Sequence, residues 1–109
     1  MQKVQLHTIE DFQQILQKEQ TFLFFKNSTT CPISSKAFSE YDSFLQKNSS
    51  IPAYYLHVQH SRELSNYIAE VFQIKHESPQ VFLISNQEVV WHTSHWHITE
   101  KALAENVVK

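Results

Sequence analysis

The chain contains no glycine. Glycine enters positive φ without steric cost, so every turn here falls to Asn, Ser, His, Gln or Pro, and strain is expected wherever φ is positive. Cysteine is almost as scarce: Cys31 is the only one. One cysteine excludes an internal disulfide, so any redox chemistry must use a second molecule. The segment Met1-Gln2-Lys3-Val4-Gln5 is no apolar export leader, and no run is long enough to cross a bilayer. A single thiol without a leader points to the reducing cytoplasm. A net charge of -2 carries no signature of nucleic-acid or membrane-surface binding. Repeats, low-complexity tracts and linkers are also missing.

What remains is an ordinary globular composition, 41% hydrophobic and 18% charged over 109 residues. This suits one domain, residues 1–109, with a modest core. The elements alternate. Val4–His7 reads as a short edge strand. Thr8 and Asp11 form a capping box for a helix that lines Ile9, Phe12, Ile15 and Leu16 on one face. Thr21–Lys26 is an apolar strand of the kind covered on both faces. Pro32 suits the first helical position, and Ile33, Ala37, Phe38, Tyr41, Phe44 and Leu45 continue that helix as a core stripe. A third strand spans Pro52–Val58. Ser61 caps a helix carrying Leu64, Tyr67, Ile68, Val71 and Phe72. Val81–Ile84 and Val89–Trp91 flank Asn86-Gln87 as a hairpin, in which Asn tolerates positive φ and Gln is a poor choice. Thr99 caps a last helix with Ile98 and Leu103 as its hydrophobic staple, and Lys109 favours its carboxyl end. The order is β-α-β-α-β-α-β-β-α. It predicts an α/β fold with a central mixed sheet flanked by helices.

Cys31 follows the apolar strand and the polar run Asn27-Ser28-Thr29-Thr30, and immediately precedes Pro32. It therefore sits at the mouth of a helix. Unpaired N–H groups there favour an anion, and the thiolate is the reactive form of cysteine. Ser78-Pro79 stands just before the strand beginning at Gln80, and only X–Pro bonds adopt cis at modest cost.

A cysteine between strand and Pro in a β-α-β chain ending in a ββα unit resembles the thioredoxin-like superfamily. Three motifs sharpen the likeness: Thr30-Cys31-Pro32-Ile33-Ser34, then Glu77-Ser78-Pro79-Gln80, then Trp91-His92-x-Ser94-His95-Trp96-x-Ile98-Thr99. In that order they resemble the monothiol bacilliredoxin family (YtxJ-type proteins) over nearly the whole chain. The resemblance implies a cis-Pro79, and Ser78 backbone beside Cys31 to pair with substrate. It implies removal of bacillithiol from mixed disulfides on oxidised proteins, with Cys31 as nucleophile. Pro32, Ile33 and Ser34 would support the thiolate, through the amides of Ile33 and Ser34 and the Ser34 hydroxyl. Ser34 stands where dithiol relatives carry a resolving cysteine. Thr30, Ser78, Pro79, His95 and Trp96 would contact substrate. Bacillithiol is then a co-substrate, no cofactor is bound, and the partners are bacillithiolated proteins and other thiol redox proteins. Lys26 and Lys36 flank the site and would favour the anion.

Other readings attach to the same residues. His92, His95 and His97 suggest zinc, with His95 and His97 on one strand face, but no Cys-x-x-Cys or His-x-x-x-His pair supports them. Trp91 reads as sheet packing, Tyr54 and Tyr55 as core, and His57, His60 and His76 receive no role. An iron–sulfur carrier is disfavoured because Pro32 replaces the glycine of the Cys-Gly-Phe-Ser motif and removes an N–H. A non-catalytic thioredoxin-like interaction module would leave Cys31 incidental. A peroxidase would want threonine three positions before the cysteine, where Ser28 stands.

Overall fold

A computed structural model of the chain describes residues 3–107. The elements run β1 (Val4–Gln5), α1 (Ile9–Lys18), β2 (Thr21–Asn27), α2 (Pro32–Lys47), β3 (Ala53–His57), α3 (Arg62–Phe72), β4 (Gln80–Ser85), β5 (Glu88–Ser94), a 3₁₀ turn (His95–His97) and α4 (Glu100–Val107). The strands form one sheet in the order β1-β3-β2-β4-β5. β1 and β2 pair with β3 in parallel, and β4 is antiparallel to both β2 and β5. The mixed sheet and the element order match the expectation from sequence. The first strand is shorter than Val4–His7, although Leu6 N still donates to Tyr55 O at 2.8 Å.

β2 is central because both its faces are apolar. Phe22 and Phe24 join Phe12, Leu64, Ile68 and Phe82 on the α1/α3 side. Leu23 and Phe25 join Tyr41, Phe44, Val81, Ile98 and Leu103 on the α2/α4 side. Each such side chain, fully buried, stabilises the fold by about 1.5–3 kcal/mol, so these two layers fix the sheet between its helices.

The caps decide where the helices begin. Asp11 N donates to Thr8 Oγ1 at 3.0 Å while Thr8 N donates to Asp11 Oδ2 at 3.1 Å, the reciprocal box expected. Ala102 N donates to Thr99 Oγ1 at 3.0 Å, and Ile98 and Leu103 are buried together. Ser61 does not cap as expected: its hydroxyl is buried and finds no partner among the described residues. Val71 is exposed, and Ile33 and Phe38 are only partly buried, so those helical stripes are narrower than their spacing suggests. Lys109 lies outside the described residues.

The lack of glycine is visible in the backbone. Gln73, Asn86, Gln87 and His95 all have positive φ, between 53° and 66°. Asn86 and Gln87 form the two-residue hairpin turn, and Gln73 ends α3 in the left-handed region.

Candidate active site

Strand register brings the site to one end of the sheet. Asn27 pairs with His57, Lys26 with Gln80, and Gln80 with Ser94. The loop carrying Cys31, the Ser78-Pro79 segment and the turn from His95 therefore leave the sheet side by side. The Ser78-Pro79 bond is cis. His95 N donates to Pro79 O at 3.0 Å, and the 3₁₀ turn packs on α2.

Cys31 is the N-cap residue of α2, with extended backbone at φ -107° and ψ 122°, and Pro32 opens the helix. The thiol is partly exposed. Its pKa is lowered, chiefly by the Ser34 amide; burial opposes this, and the Ile33 amide and the Ser34 hydroxyl add to it. These are donors of the first helical turn, which have no carbonyl partner within the helix. Ser34 is fully buried, and its Oγ also accepts from Ser28 N at 3.3 Å. One side chain thus joins the loop before the thiol to the helix after it.

Gln59 is a site residue that no local sequence pattern announces. Its Nε2 donates to Ser28 Oγ at 2.8 Å and to Thr30 Oγ1 at 3.2 Å, and its Oε1 accepts from Thr29 N at 3.1 Å. Three successive residues before Cys31 hang on this one amide. Only the parallel pairing of β2 with β3 puts it there. Asn27 Nδ2 meets His57 Nδ1 at 3.0 Å across the same pair of strands. The His57 pKa is lowered, first by burial and then by neighbouring His60, His7 and Lys3.

The expected role of Lys26 is corrected. It lies on the Phe22–Phe24 face and is fully buried, with Nζ donating to Ser65 O at 2.9 Å and meeting His76 Nδ1 at 3.2 Å. Its ammonium is committed on the far side of the sheet, below the segment that leads to Pro79. Lys36 is paired with Glu40 at 2.9 Å, which occupies its charge.

His95 and His97 do not share a strand face, because β5 ends at Ser94 and they stand on the 3₁₀ turn. His95 Nδ1 meets Ser94 Oγ at 3.2 Å and stands 3.9 Å from the Glu77 carboxylate. Trp96 is 69% exposed, Thr30 and Pro32 are exposed, and Pro79 is buried. Among the described residues no three His, Cys, Asp or Glu side chains gather to hold a metal ion. No helix among them is long and apolar enough to cross a membrane.

Known proteins share this architecture. A solved structure with a thioredoxin fold, provisionally described as an oxidoreductase, superposes with a TM-score of 0.90 at 39% identity, over 94% of this chain and 91% of that one. A cysteine-to-serine variant of Entamoeba histolytica thioredoxin gives 0.76 at 14% identity over 97% of both chains. Fasciola hepatica thioredoxin gives 0.77 at 14%, over 97% of this chain and 96% of that one. At such identity the two thioredoxins speak for the fold alone. The family model described as Monothiol bacilliredoxin BrxC matches residues 4–103. That span takes in the thiol, the cis-proline and the 3₁₀ turn together, and by it the chain belongs to the monothiol bacilliredoxin family, with a function in thiol redox chemistry.

Proposed function

We propose that this protein removes bacillithiol from mixed disulfides on oxidised proteins in the cytoplasm. The Cys31 thiolate attacks the bacillithiol sulfur of the client disulfide. The client leaves as a thiolate, and a Cys31–bacillithiol disulfide replaces the bond broken. The thiolate of a second bacillithiol then attacks the bacillithiol sulfur of that adduct, forming bacillithiol disulfide and freeing Cys31. The two electrons come from bacillithiol.

The observation that carries this reading is the pairing of a helix-mouth thiol with Ser34. Amides of Ile33 and Ser34 hold the anion, and the position that would resolve an adduct internally carries a buried hydroxyl. The adduct must therefore be cleared by an outside thiol. In this reading Pro32 fixes the helix start and leaves the amides of Ile33 and Ser34 free for sulfur. Thr30, Ser78, Pro79, His95 and Trp96 border the incoming disulfide, where other thiol redox proteins would also dock.

The test mixes the protein with a client carrying bacillithiol on one cysteine and follows both by intact mass. Transfer of the bacillithiol mass to Cys31, with release of reduced client, is expected. Wild-type protein that never takes up that mass from any modified client refutes the proposal.

A further inference from the structure

A groove of about 380 Å³ opens beside the thiol. The loop Asn27–Thr29 forms one wall, the α2 face bearing Ser35, Phe38, Ser39 and Asp42 forms the other, and Cys31 is part of the lining. The volume is within the range of small-ligand sites. The lining is rich in hydroxyls, with one aromatic ring and one carboxylate. Such a surface suits a ligand with many hydroxyls and a CH-rich face better than an apolar peptide.

Asn27 anchors one wall of the groove. It is 5% exposed, and its amide is bonded at one end to His57 at 3.0 Å. Its Oδ1 is buried and has no partner among the described residues. Along the same groove the Asp42 carboxylate is held by Lys3 at 2.7 Å, and the Lys3 ammonium lies 4.8 Å from the centre of the Phe38 ring. Charges of both signs therefore border a hydroxyl-lined space that reaches the sulfur.

We propose that this groove holds the polyhydroxylated, sugar-like part of the low-molecular-weight thiol while its sulfur is bonded to Cys31. The ligand's hydroxyls meet those of Ser28, Thr29, Ser35 and Ser39 along the two walls, and Phe38 lines the space beside its CH face. The inference rests on the exchange chemistry proposed above and adds the place where the carried group lies.

Bacillithiol and free cysteine share a cysteinyl sulfur and differ in the sugar-bearing part. The two compete at equal concentration for Cys31 as their disulfides, and intact mass gives the ratio of adducts. Wild type is expected to favour bacillithiol about tenfold, the factor that about 1.4 kcal/mol of extra contact supplies. Ser39→Leu fills the groove from an exposed helical position away from the thiol, and should bring the ratio to near unity. Amide chemical shifts of Ser39 and Asp42 in wild type should move in the bacillithiol adduct beyond their movement in the cysteine adduct. A ratio that Ser39→Leu leaves unchanged, or shifts that do not distinguish the two adducts, overturns the site. Either result can coexist with client turnover, so failure of the groove is distinct from failure of the exchange reaction.

Discussion

The ammonium of Lys26 donates to the carbonyl oxygen of Ser65 across 2.9 Å. A fully buried cation is costly, and burial lowers its pKa from 10.5 to about 8. His76, beside it, is also held below the ordinary imidazole value, by burial and then by the Lys26 charge, so its Nδ1 is available as an acceptor. Between the two lysine values the unfolded chain binds more protons than the folded one, so stability rises with pH through that window. Urea unfolding of wild type and Lys26→Met should show the gap between them shifting toward wild type by about 3 kcal/mol from neutral pH to pH 10.5. A gap that does not move with pH would contradict a desolvated ammonium.

Gln59 holds Ser28, Thr29 and Thr30 with one amide. A net hydrogen bond is worth about 0.5–1.5 kcal/mol, and exposed ones contribute less. Gln59→Leu is expected to lower stability by about 1 kcal/mol and, by loosening the loop, to slow disulfide exchange at Cys31 several-fold. Gln59→Glu keeps the acceptor for Thr29 N and loses both donors, so it should fall between. Equal exchange rates in all three proteins would show that the loop holds its shape without this side chain.

Lowering of the Cys31 pKa comes first from the Ser34 amide and only in part from the Ser34 hydroxyl. Ser34→Ala removes the lesser donor. The midpoint of pH-dependent alkylation should rise in the variant and still lie below that of an ordinary thiol. Loss of reactivity as pH falls through the midpoint is expected in both proteins, because the thiolate is the nucleophile. A variant that titrates like wild type would assign the whole effect to the backbone.

Local signals were legible where their physics is local. The Thr8–Asp11 box, Pro32 at the helix start, the two-faced strand at Thr21 and the Asn86-Gln87 turn each depend on residues a few positions apart. Cys31 could be found because strand, polar loop and proline are contiguous. Gln59 and Lys26 could not. Gln59 reaches the loop only through the Asn27–His57 register, and the direction of Lys26 depends on which face of β2 its even-numbered position shares with Phe22 and Phe24. Alternation showed that both faces are covered, without saying that an ammonium would find Ser65 and His76 beneath one of them. The histidines after β5 read as strand because nothing local announces the positive φ at His95 that ends it.

Trp96 is the largest exposed apolar side chain beside the cis-proline segment, on a turn anchored by His95 N to Pro79 O. Exposed aromatics of this kind concentrate binding energy at protein interfaces. Trp96→Ala is expected to lower kcat/KM for a bacillithiolated protein by about tenfold, equivalent to about 1.4 kcal/mol. Exchange with bacillithiol disulfide, which offers no protein surface, should change little, and stability should stay within about 0.5 kcal/mol. A parallel loss for both substrates would place Trp96 in the chemistry of the thiol instead of in client docking.

Gln87 stands at φ 66° in the hairpin turn, next to Asn86 at φ 53°. A side chain with Cβ in that region costs roughly 1–2 kcal/mol, and Asn and Asp offset part of it through their short polar groups, which Gln does not. Gln87→Gly should remove that cost while adding some unfolded-state entropy, for a net gain of about 0.5–1 kcal/mol. Gln87→Ala keeps the Cβ and should gain nothing, which separates backbone strain from the loss of an exposed amide. Glu88→Gly, one position on and inside β5, should instead destabilise, since the strand has no need of positive φ and loses a cross-strand side chain opposite Ser85. Equilibrium unfolding of the three variants would order them as glycine at 87, wild type with alanine at 87, then glycine at 88. Any other order would mean that the turn bears no strain for glycine to relieve.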